Sequence, residues 1–249
     1  MRGRNQLHET KEKNIQEITR IKQTYQKRYE SDMARYSLFH PGEFFMDVTF
    51  ERELIKSLKK AGVKGLAEMK ILEVGCGNGR RLRNFQRLGA VPSNEYGIEL
   101  LDIFVEDAQI LSSNCHIRQG DASALPYTSE FFDIVYQRTV FTSIFDVQIK
   151  MNIALEMLRV LKSDGCIIWY DFRLNNPKNP DVKGVSKKEI VSLFPNCRFD
   201  FTLVTLAPPL TRAIAPYSYL LCYLLDKLPF LRTHYLGIIR KTRTSENQK

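Results

Sequence analysis

The chain has 249 residues, 43% of them apolar and 26% charged, which is ordinary for a globular protein and enough for one large α/β domain with appended segments. Its five cysteines form no CxxC pair and its four histidines show no metal-ligand spacing, which argues against a disulfide framework and a metal site. The net charge of +9 lies mostly at the two ends, because residues 1–35 and 232–249 each carry a surplus of four positive charges. The body between them is nearly neutral and therefore indicates no basic groove for nucleic acid.

The first predicted unit is an amphipathic helix within residues 1–41. Over residues 10–35 apolar side chains recur at spacings of three and four, and the other positions are mostly Lys, Arg, Glu and Gln. The apolar positions are Ile15, Ile18, Ile21, Tyr25, Tyr29 and Met33. Three partners suit such a face: the chain's own domain, a second copy in a homodimer, or a membrane surface. The first ten residues lack the apolar core of a secretory signal, so we expect a cytoplasmic protein.

A second helix is predicted over residues 43–61, after a break at Pro41-Gly42. Gly62 and Gly65 are expected to end it. The side chains predicted to point inward are Phe44, Phe45, Val48, Leu54 and Leu58. This helix opens the main domain, which we place at residues 42–241.

From residue 70, short apolar runs alternate with amphipathic stretches, which is the pattern of a parallel sheet built from βα units. Five strands are predicted, at 70–74, 95–98, 115–118, 132–136 and 166–170. The helices between them are expected near 80–89, 101–112 and 148–161. Gly165 is expected to end the last of these helices.

Two more strands are predicted at 198–205 and 234–240, separated by an apolar insert at 207–231. The longest uncharged stretch of the insert, residues 213–225, is too short to span a bilayer. The insert is therefore predicted to be a helix packed on the sheet, a lid over the substrate, or a contact with a membrane surface. A basic polar tail follows at 242–249.

The first strand runs into the glycine-rich turn Glu73-Val-Gly-Cys-Gly-Asn-Gly79. Three positions without a Cβ let the backbone approach a ligand and expose free N–H groups at the start of the next helix. A dinucleotide site has the spacing G-x-G-x-x-G, and here the third glycine comes one residue early. By itself the turn is also compatible with a tight strand-to-helix connection that binds nothing.

Acidic residues follow the next two strands. Glu99 ends the second strand about twenty residues after the turn, where a carboxylate can accept hydrogen bonds from both hydroxyls of a ribose. Asp121 comes just after the third strand, where a carboxylate can accept a hydrogen bond from an adenine amine. The fourth strand ends over the place where the reactive group would lie. All these positions lie at the carboxyl edge of the sheet, where open α/β sheets bind their ligands.

Together these residues resemble the class I S-adenosylmethionine-dependent methyltransferase family over about residues 43–241. Ile71-Leu-Glu-Val-Gly-Cys-Gly-Asn-Gly79 is similar to the first family motif and Gly97-Ile-Glu99 to the second. Gly120-Asp-Ala122 and Phe132 to Val140 are similar to the next two. The resemblance implies a Rossmann-like sheet of seven mostly parallel strands with an antiparallel last strand. It also implies helices on both faces, an N-terminal helical extension and a helical insert between the last two strands.

By the same resemblance the cofactor is S-adenosylmethionine and the product S-adenosylhomocysteine. Gly75, Cys76 and Gly77 are expected to pack against the methionine part, with Glu73 orienting its ammonium group. Glu99 is expected to bind the ribose, Asp121 and Ala122 the adenine, and Gln137 to lie beside the sulfonium. Gly79 and Leu100 complete the expected cofactor-binding set.

The acceptor side is less defined by the sequence. Asp171 is a candidate base for a hydroxyl, and Arg138 or Arg173 could hold an anionic group such as a phosphate, or could form a loop-anchoring ion pair. Tyr29 and Tyr36 lie where the family often has a lid, although they could also be packing residues. Two family features are missing. There is no histidine near Thr142-Ser143, and Gln137-Arg-Thr-Val-Phe141 replaces the Asn/Asp-Pro-Pro-Tyr/Phe turn of adenine-type amino methyltransferases.

The sequence therefore predicts O-methylation of a small molecule, a sugar or a lipid-linked saccharide. The segments 170–177, 206–210 and 228–237 are similar to bacterial methyltransferases associated with surface-polysaccharide synthesis. If the insert touches a membrane, the enzyme would be peripheral at the inner membrane surface. Two alternatives stay open: an RNA or protein methyltransferase that docks through its basic tails, and a cofactor-binding partner protein without catalysis.

Overall fold

A computed structural model describes residues 2–32, 36–175 and 179–242 of the chain. Three sequence predictions concern residues outside these ranges: Met33 in the first helix, part of the segment 170–177, and the basic tail from residue 243 onward. Side chains are described from Ile15 onward in the first helix.

Seven strands form one mixed sheet in the spatial order β3-β2-β1-β4-β5-β7-β6. The strands are β1 Ile71–Val74, β2 Glu95–Glu99, β3 His116–Gln119, β4 Phe132–Arg138, β5 Leu161–Phe172, β6 Cys197–Leu206 and β7 Arg232–Lys241. The pairs among β1 to β5 are parallel, whereas β7 is antiparallel to both β5 and β6. Six strands therefore run in one direction and the last runs against them, which confirms the Rossmann-like fold that the resemblance implies.

Eight α-helices accompany the sheet in the described residues. They are α1 Arg2–Asp32, α2 Pro41–Lys60, α3 Arg80–Arg87, α4 Asp102–Leu111, α5 Val147–Val160, α6 Lys187–Leu193, α7 Pro208–Ile214 and α8 Tyr219–Leu225. The predicted break at Pro41-Gly42 is in fact the first turn of α2, where a proline fits because its missing N–H would have no intrahelical partner. The His40 ring caps this end, since its Nδ1 accepts a hydrogen bond from the Gly42 amide.

The helices cover both faces of the sheet. On one face, α5 and α6 bury Ile153, Met157 and Leu193 against β-strand residues such as Val135 and Ile167. On the other face, α2 and α3 bury side chains against the opposite set of strand residues; these are Phe50, Leu54, Leu58 and Phe85, packed on Ile71, Ile134 and Ile168. Alternate residues of each strand face opposite cores, as the period of two requires.

The predicted buried face of α2 is partly wrong. Phe44 and Val48 are 47% and 46% exposed, while Met46, Asp47 and Phe50 are buried instead. The buried stripe follows a helix that begins at Pro41 and lies against both the sheet and the insert, so its phase is rotated from the predicted one. Phe45, Leu54 and Leu58 are buried as predicted.

Gly165 does not end a helix. Helix α5 stops at Val160 and the chain passes directly into β5, because the buried Leu161 pairs with Phe132 at the start of β4. Gly165 lies inside β5, where a Cβ would come within 2.7 Å of the Asp133 carbonyl oxygen. The glycine thus allows close approach between neighbouring backbones rather than a helix stop.

The topology gathers the connecting loops at one edge. The carboxyl ends of β1, β2, β3, β4, β5 and β6 lie at the same edge because these strands run in the same direction. Strand β7 runs the other way, so it begins at this edge, where Arg232 pairs with Leu206. The insert of α7 and α8 connects β6 to β7 and therefore also lies at the carboxyl edge.

Candidate functional site

The glycine-rich turn after β1 has the backbone that its sequence demands. Gly75, Gly77 and Gly79 all have positive φ angles, of 68°, 52° and 73°. A Cβ on Gly75 would lie 2.6 Å from a methyl group of Val140, and one on Gly79 would lie 2.7 Å from the Ser112 hydroxyl. Larger residues would therefore clash as well as strain the turn, which brings the backbone close to the carboxyl edge.

Glu99 binds the turn and the start of α4 with one buried carboxylate. Its Oε2 accepts from the Gly77 amide at 2.9 Å, and its Oε1 accepts from the amides of Leu100 and Leu101 at 2.7 and 3.1 Å. Burial raises the pKa of Glu99, although these three donors oppose the rise. A carboxylate has about four acceptor positions, so Glu99 retains capacity for further donors.

Asp121 and Ala122 lie where the sequence predicts them, just beyond β3. The Asp121 Oδ1 accepts from the Ser123 amide at 2.8 Å, which closes a local turn. The Gly120 amide donates to the Glu99 carbonyl at 2.9 Å, so this turn is fixed next to the end of β2. The structure therefore places Glu99 and Asp121 on adjacent strand ends of one edge.

Gln137 and Asp171 form a buried network that ties β4 to β5. The Gln137 Nε2 donates to the Asp171 Oδ2 at 2.9 Å, and the Gln137 Oε1 accepts from the Val140 amide. The other oxygen of Asp171 accepts from the Thr142 hydroxyl at 2.9 Å. Asp171 is only 1% exposed, and burial raises its pKa to about 7 despite the hydrogen bonds from Thr142 and Gln137. Both Asp171 oxygens are thus occupied by the protein's own donors.

The two candidate arginines have different surroundings. The Arg173 Nε donates to the Arg232 carbonyl at 2.9 Å, so this side chain fastens the end of β5 to the start of β7. Arg138 instead lies between two aromatic rings, with its guanidinium carbon 4.3 Å from the centre of Phe50 and 4.5 Å from that of Tyr170. The Arg138 Nη1 is buried and has no hydrogen-bond partner.

Helix α1 lies across the carboxyl edge of its own domain. The Tyr25 hydroxyl is 2.7 Å from the Ser143 hydroxyl, and Arg20 donates to the Ser143 carbonyl at 2.6 Å. Farther along the helix, Tyr29 donates to the Asp107 carboxylate of α4 at 3.1 Å. Of the three partners that the sequence left open, the helix contacts its own domain.

Tyr36 follows α1 beside the glycine-rich turn. Its carbonyl oxygen accepts from the Arg80 Nη1 at 3.1 Å, and its side chain is exposed. This contact brings Tyr36 to the first turn of α3. Both predicted lid residues, Tyr29 and Tyr36, therefore belong to the part of the chain that borders the carboxyl edge.

One buried charged pair was missed by the sequence analysis. Asp47 of α2 forms an ion pair with Arg81 of α3, and Arg80 lies 3.8 Å from the same carboxylate. Burial would raise the pKa of Asp47, but Arg81, together with Arg138 and Arg80, holds this pKa below its ordinary value. An aspartate among the apolar positions of α2 is the one sequence signal for such a pair.

The insert presents an apolar surface to solvent. Phe45 stacks on Tyr219 and Arg212 pairs with Glu43, so α7 and α8 are fixed against α2. Their outer side carries large exposed side chains; these are Leu210, Tyr217, Tyr219, Leu220, Leu221, Tyr223, Leu224, Leu228 and Phe230. In the described part of the chain no helix has the length and apolar character needed to cross a membrane. Those same residues hold no group of three or more His, Cys, Asp or Glu side chains arranged to bind a metal ion.

Part of the chain is similar to known methyltransferases. Residues 72–169 match the family model of a methyltransferase domain. A demethylmenaquinone methyltransferase of Lactobacillus johnsonii is 33% identical over 103 residues, which are 41% of this chain. The matching region spans only 39% of the length of that relative.

Solved structures share the fold at low sequence identity. Phosphoethanolamine N-methyltransferase 1 of Haemonchus contortus, solved with phosphoethanolamine and S-adenosylhomocysteine, superposes with a TM-score of 0.65 at 12% identity. That match covers 92% of this chain and 50% of the nematode chain. A TehB-like methyltransferase of Corynebacterium glutamicum gives a TM-score of 0.56 at 14% identity, covering 89% of this chain and 98% of the other. The chain thus carries a methyltransferase domain at residues 72–169, within a fold that these solved methyltransferases share.

Proposed function

We propose that the chain transfers a methyl group from S-adenosylmethionine to an oxygen of a small molecule, a sugar or a lipid-linked saccharide. The observation that carries this proposal is that the cofactor loops and the apolar insert share one edge of the sheet. The cofactor supplies an electrophilic methyl group, and in-line transfer needs chiefly proximity and alignment from the protein. The insert gives the acceptor side of this edge an apolar wall.

The cofactor-binding roles remain those that the resemblance implies. Glu99 has unused acceptor capacity for ribose hydroxyls beside the Gly77 amide. Asp121 and Ala122 would receive the adenine, and Gln137 would border the sulfonium. The backbone of residues 75–79, with Leu100, would complete the cradle. The contacts within the chain support this set because they hold the three loops side by side.

Asp171 fits a positioning role better than the base role predicted from the sequence. A general base must come within hydrogen-bond reach of the proton that it removes, and Asp171 is only 1% exposed behind its donors from Gln137 and Thr142. Asp171 would instead orient Gln137 and fix the loop 139–143 beneath α1. Methyl transfer requires a base only if the acceptor loses its proton at the transition state.

Helix α1, with Tyr29 and Tyr36, would act as the lid of this site. The lid assignment is supported by contacts from α1 to α4 and to the loop after β4. Because the Ile21 side chain packs against the core of the domain, this part of the helix face is already in use. A homodimer through α1 remains a prediction that would use the other faces of the helix.

The apolar surface of the insert would rest on an anionic membrane surface. Its acidic neighbours are neutralised, since Glu43 pairs with Arg212 and Asp226 pairs with Arg232. Lys227 lies over the Tyr223 ring and adds positive charge next to the exposed leucines. Apolar side chains beside cations are the pattern of peripheral membrane contacts. A lipid-linked acceptor would then reach the carboxyl edge from the membrane.

A quinone is the second candidate acceptor, because the relative from Lactobacillus johnsonii is named for demethylmenaquinone. An apolar acceptor of this kind also suits the insert. RNA or protein methylation through the basic tails has less support, since the body of the chain between them is nearly neutral. A cofactor-binding partner protein without catalysis would share the same fold and cofactor site.

The acceptor class is tested by incubating the purified protein with methyl-labelled S-adenosylmethionine and fractionated extract of the source cells. We expect label in the glycan or lipid fraction. Label confined to RNA or protein would contradict the proposal. Cofactor binding without transfer into any fraction would instead favour the non-catalytic partner.

A further inference from the structure

The hydrogen bond between Tyr25 of α1 and Ser143 has a direction that its neighbours fix. The two hydroxyl oxygens are 2.7 Å apart, and the Ser143 hydroxyl also donates to the Thr139 carbonyl at 3.2 Å. A carbonyl oxygen can only accept, so the single Ser143 hydrogen is used on Thr139 and the Tyr25 hydroxyl donates to Ser143. In the reverse orientation the Tyr25 hydrogen would have no other acceptor among the described residues. The Tyr25 oxygen therefore keeps its acceptor positions open.

The carbonyl that ends this chain of hydrogen bonds belongs to a strained residue. Thr139 is β-branched and has a φ of 58°, a conformation that such residues rarely adopt. Its amide donates to the Tyr170 carbonyl at 2.8 Å, which holds the loop after β4 against β5. Strain of this kind persists where the surrounding contacts fix the backbone, and it concentrates at functional sites. The loop thus gives Ser143, and through it Tyr25, a fixed orientation.

The Tyr25 hydroxyl lies near both sides of the proposed site. Burial raises the pKa of Tyr25, and the charges of Glu99 and Asp171 add to the rise. The phenol is therefore within electrostatic reach of the ends of β2 and β5. Asp171 in turn accepts from Gln137, which is expected beside the sulfonium. The open positions of the Tyr25 oxygen thus belong to the part of the edge where the methyl group would be transferred.

We propose that the Tyr25 oxygen accepts a hydrogen bond from the hydroxyl of the methyl acceptor and so positions the acceptor oxygen for transfer. The inference rests on the proposed O-methylation. A lone pair of the acceptor oxygen forms the bond to the methyl carbon, while the electron pair of the carbon–sulfur bond goes to sulfur. Tyr25 keeps its own proton, because its chain of hydrogen bonds ends on a carbonyl that cannot take one. The acceptor proton therefore passes to water after the transfer.

Helix α1 is fastened to the same loop without the Tyr25 hydroxyl. The Glu17 carboxylate accepts from the Phe145 amide at 2.5 Å, and Arg20 donates to the Ser143 carbonyl at 2.6 Å. The guanidinium carbon of Arg20 also lies 3.9 Å from the centre of the Phe145 ring. Removing the Tyr25 hydroxyl alone should therefore leave the helix in place, so that a role in transfer can be separated from a role in docking.

The test compares Tyr25→Phe with Ser143→Ala, because both remove the same hydrogen bond but only the first removes the oxygen that faces the acceptor. The rate of label transfer from methyl-labelled S-adenosylmethionine into extract of the source cells is measured at saturating cofactor. We expect Tyr25→Phe to lower this rate by about 10- to 100-fold and Ser143→Ala to lower it by less than about fivefold. Tyr96→Phe is the control, since it removes a hydroxyl at the start of β2, away from the carboxyl edge, and should keep the wild-type rate.

Two further measurements separate positioning from other roles of Tyr25. Tyr25→Phe should bind S-adenosylhomocysteine with wild-type affinity in calorimetric titration, and a weaker affinity would place the hydroxyl on the cofactor and contradict the assignment. The pH dependence of the transfer rate should be the same in Tyr25→Phe and in the wild type, because the phenol does not take the proton. A changed pH dependence would make Tyr25 a base and would also contradict positioning.

Equal losses of rate in Tyr25→Phe and Ser143→Ala would overturn the assignment, since the pair would then only fasten the loop. A wild-type rate in Tyr25→Phe would overturn it as well. Failure of the proposed function has a different signature: the wild-type protein would bind S-adenosylmethionine and transfer no label, and the inference would fail with it.

Discussion

Glu99 links two loops of the carboxyl edge, and we propose that the same carboxylate binds the ribose of the cofactor. Its carboxylate accepts from the Gly77 amide of the glycine-rich turn and from two amides at the start of α4. These bonds hold the turn open beside the end of β2. A ribose bound at this carboxylate would use the remaining acceptor positions of Glu99. The conformation of the two loops and the affinity for the cofactor would then depend on the same side chain.

Replacing Glu99 with alanine should therefore weaken binding of S-adenosylhomocysteine by roughly 1–3 kcal/mol, the cost of losing a buried hydrogen-bonding partner. Calorimetric titration measures the change. Glu106→Ala, at an exposed position of α4, is the control and should leave the affinity unchanged. Unaltered binding by Glu99→Ala would refute the ribose assignment.

The buried carboxyl of Asp171 links stability to pH. Its pKa in the folded protein is about 7, raised from 3.8 by burial, so the folded state holds this proton more tightly than the unfolded state does. The free energy of unfolding contributed by this group therefore falls as pH rises from about 4 to about 7, and levels off above that range. The folded protein is less stable when Asp171 is ionised than when it is protonated, although three donors hydrogen-bond to its carboxyl group.

Asp171→Asn removes this titration. The stability of the variant relative to wild type should therefore increase as pH rises from 5 to 8, measured by urea unfolding at each pH. The control is Asp164→Asn, an exposed position on the same strand. A constant difference between wild type and Asp171→Asn across this range would show that Asp171 does not carry the proton.

Sequence reasoning located Glu99 and Asp121 because each follows its own strand, and a strand end is visible in the local pattern. It did not find the partners of Asp171 or the aromatic setting of Arg138. Those contacts depend on the register between β4 and β5, where Gln137 pairs with Trp169 and Arg138 pairs with Tyr170. Register between distant segments is not encoded in any single stretch of sequence.

At the scale of elements, the alternation of apolar runs and amphipathic stretches predicted β1 to β5 and the helices α3, α4 and α5 between them. The errors concern boundaries and phase. The predicted inward face of α2 is partly wrong because the buried side of this helix is set by the insert as well as by the sheet. Gly165 was predicted to end a helix because the local sequence does not distinguish a glycine at a helix end from a glycine inside a strand.

The insert that contains α7 and α8 has three possible roles by sequence: a helix packed on the sheet, a lid over the substrate, or a membrane contact. The insert packs on α2, yet Leu220 and Leu224 of α8 and the nearby Phe230 are 69%, 56% and 70% exposed. Neighbouring exposed apolar side chains of this size are uncommon on a protein that contacts only water. We proposed an anionic membrane surface as their partner.

Leu220→Glu combined with Leu224→Glu should abolish most binding to vesicles of anionic phosphatidylglycerol, measured by co-sedimentation. The substitutions remove apolar contact area and add charge that the lipid headgroups repel. Ile110→Glu is the control, because Ile110 is a 76% exposed apolar residue of α4, outside the insert. This substitution should leave vesicle binding unchanged. Equal vesicle binding by all three proteins, or none by the wild type, would contradict a membrane contact.

At the scale of the whole molecule, one sheet edge gathers every part of the proposed site. The parallel strands bring the glycine-rich turn, Glu99, Asp121 and Gln137 to this edge, and the reversed β7 returns the insert to it. Helix α1 then crosses the same edge from α4 to the loop after β4. The sequence could predict this gathering because the direction of parallel strands fixes where their ends meet.

The central claim is that this edge binds S-adenosylmethionine, and calorimetric titration of the wild-type protein with that cofactor tests it most directly. The account predicts saturable binding of one molecule per chain, with S-adenosylhomocysteine competing for the same site. No heat of binding at high micromolar cofactor, with the protein folded, would contradict it.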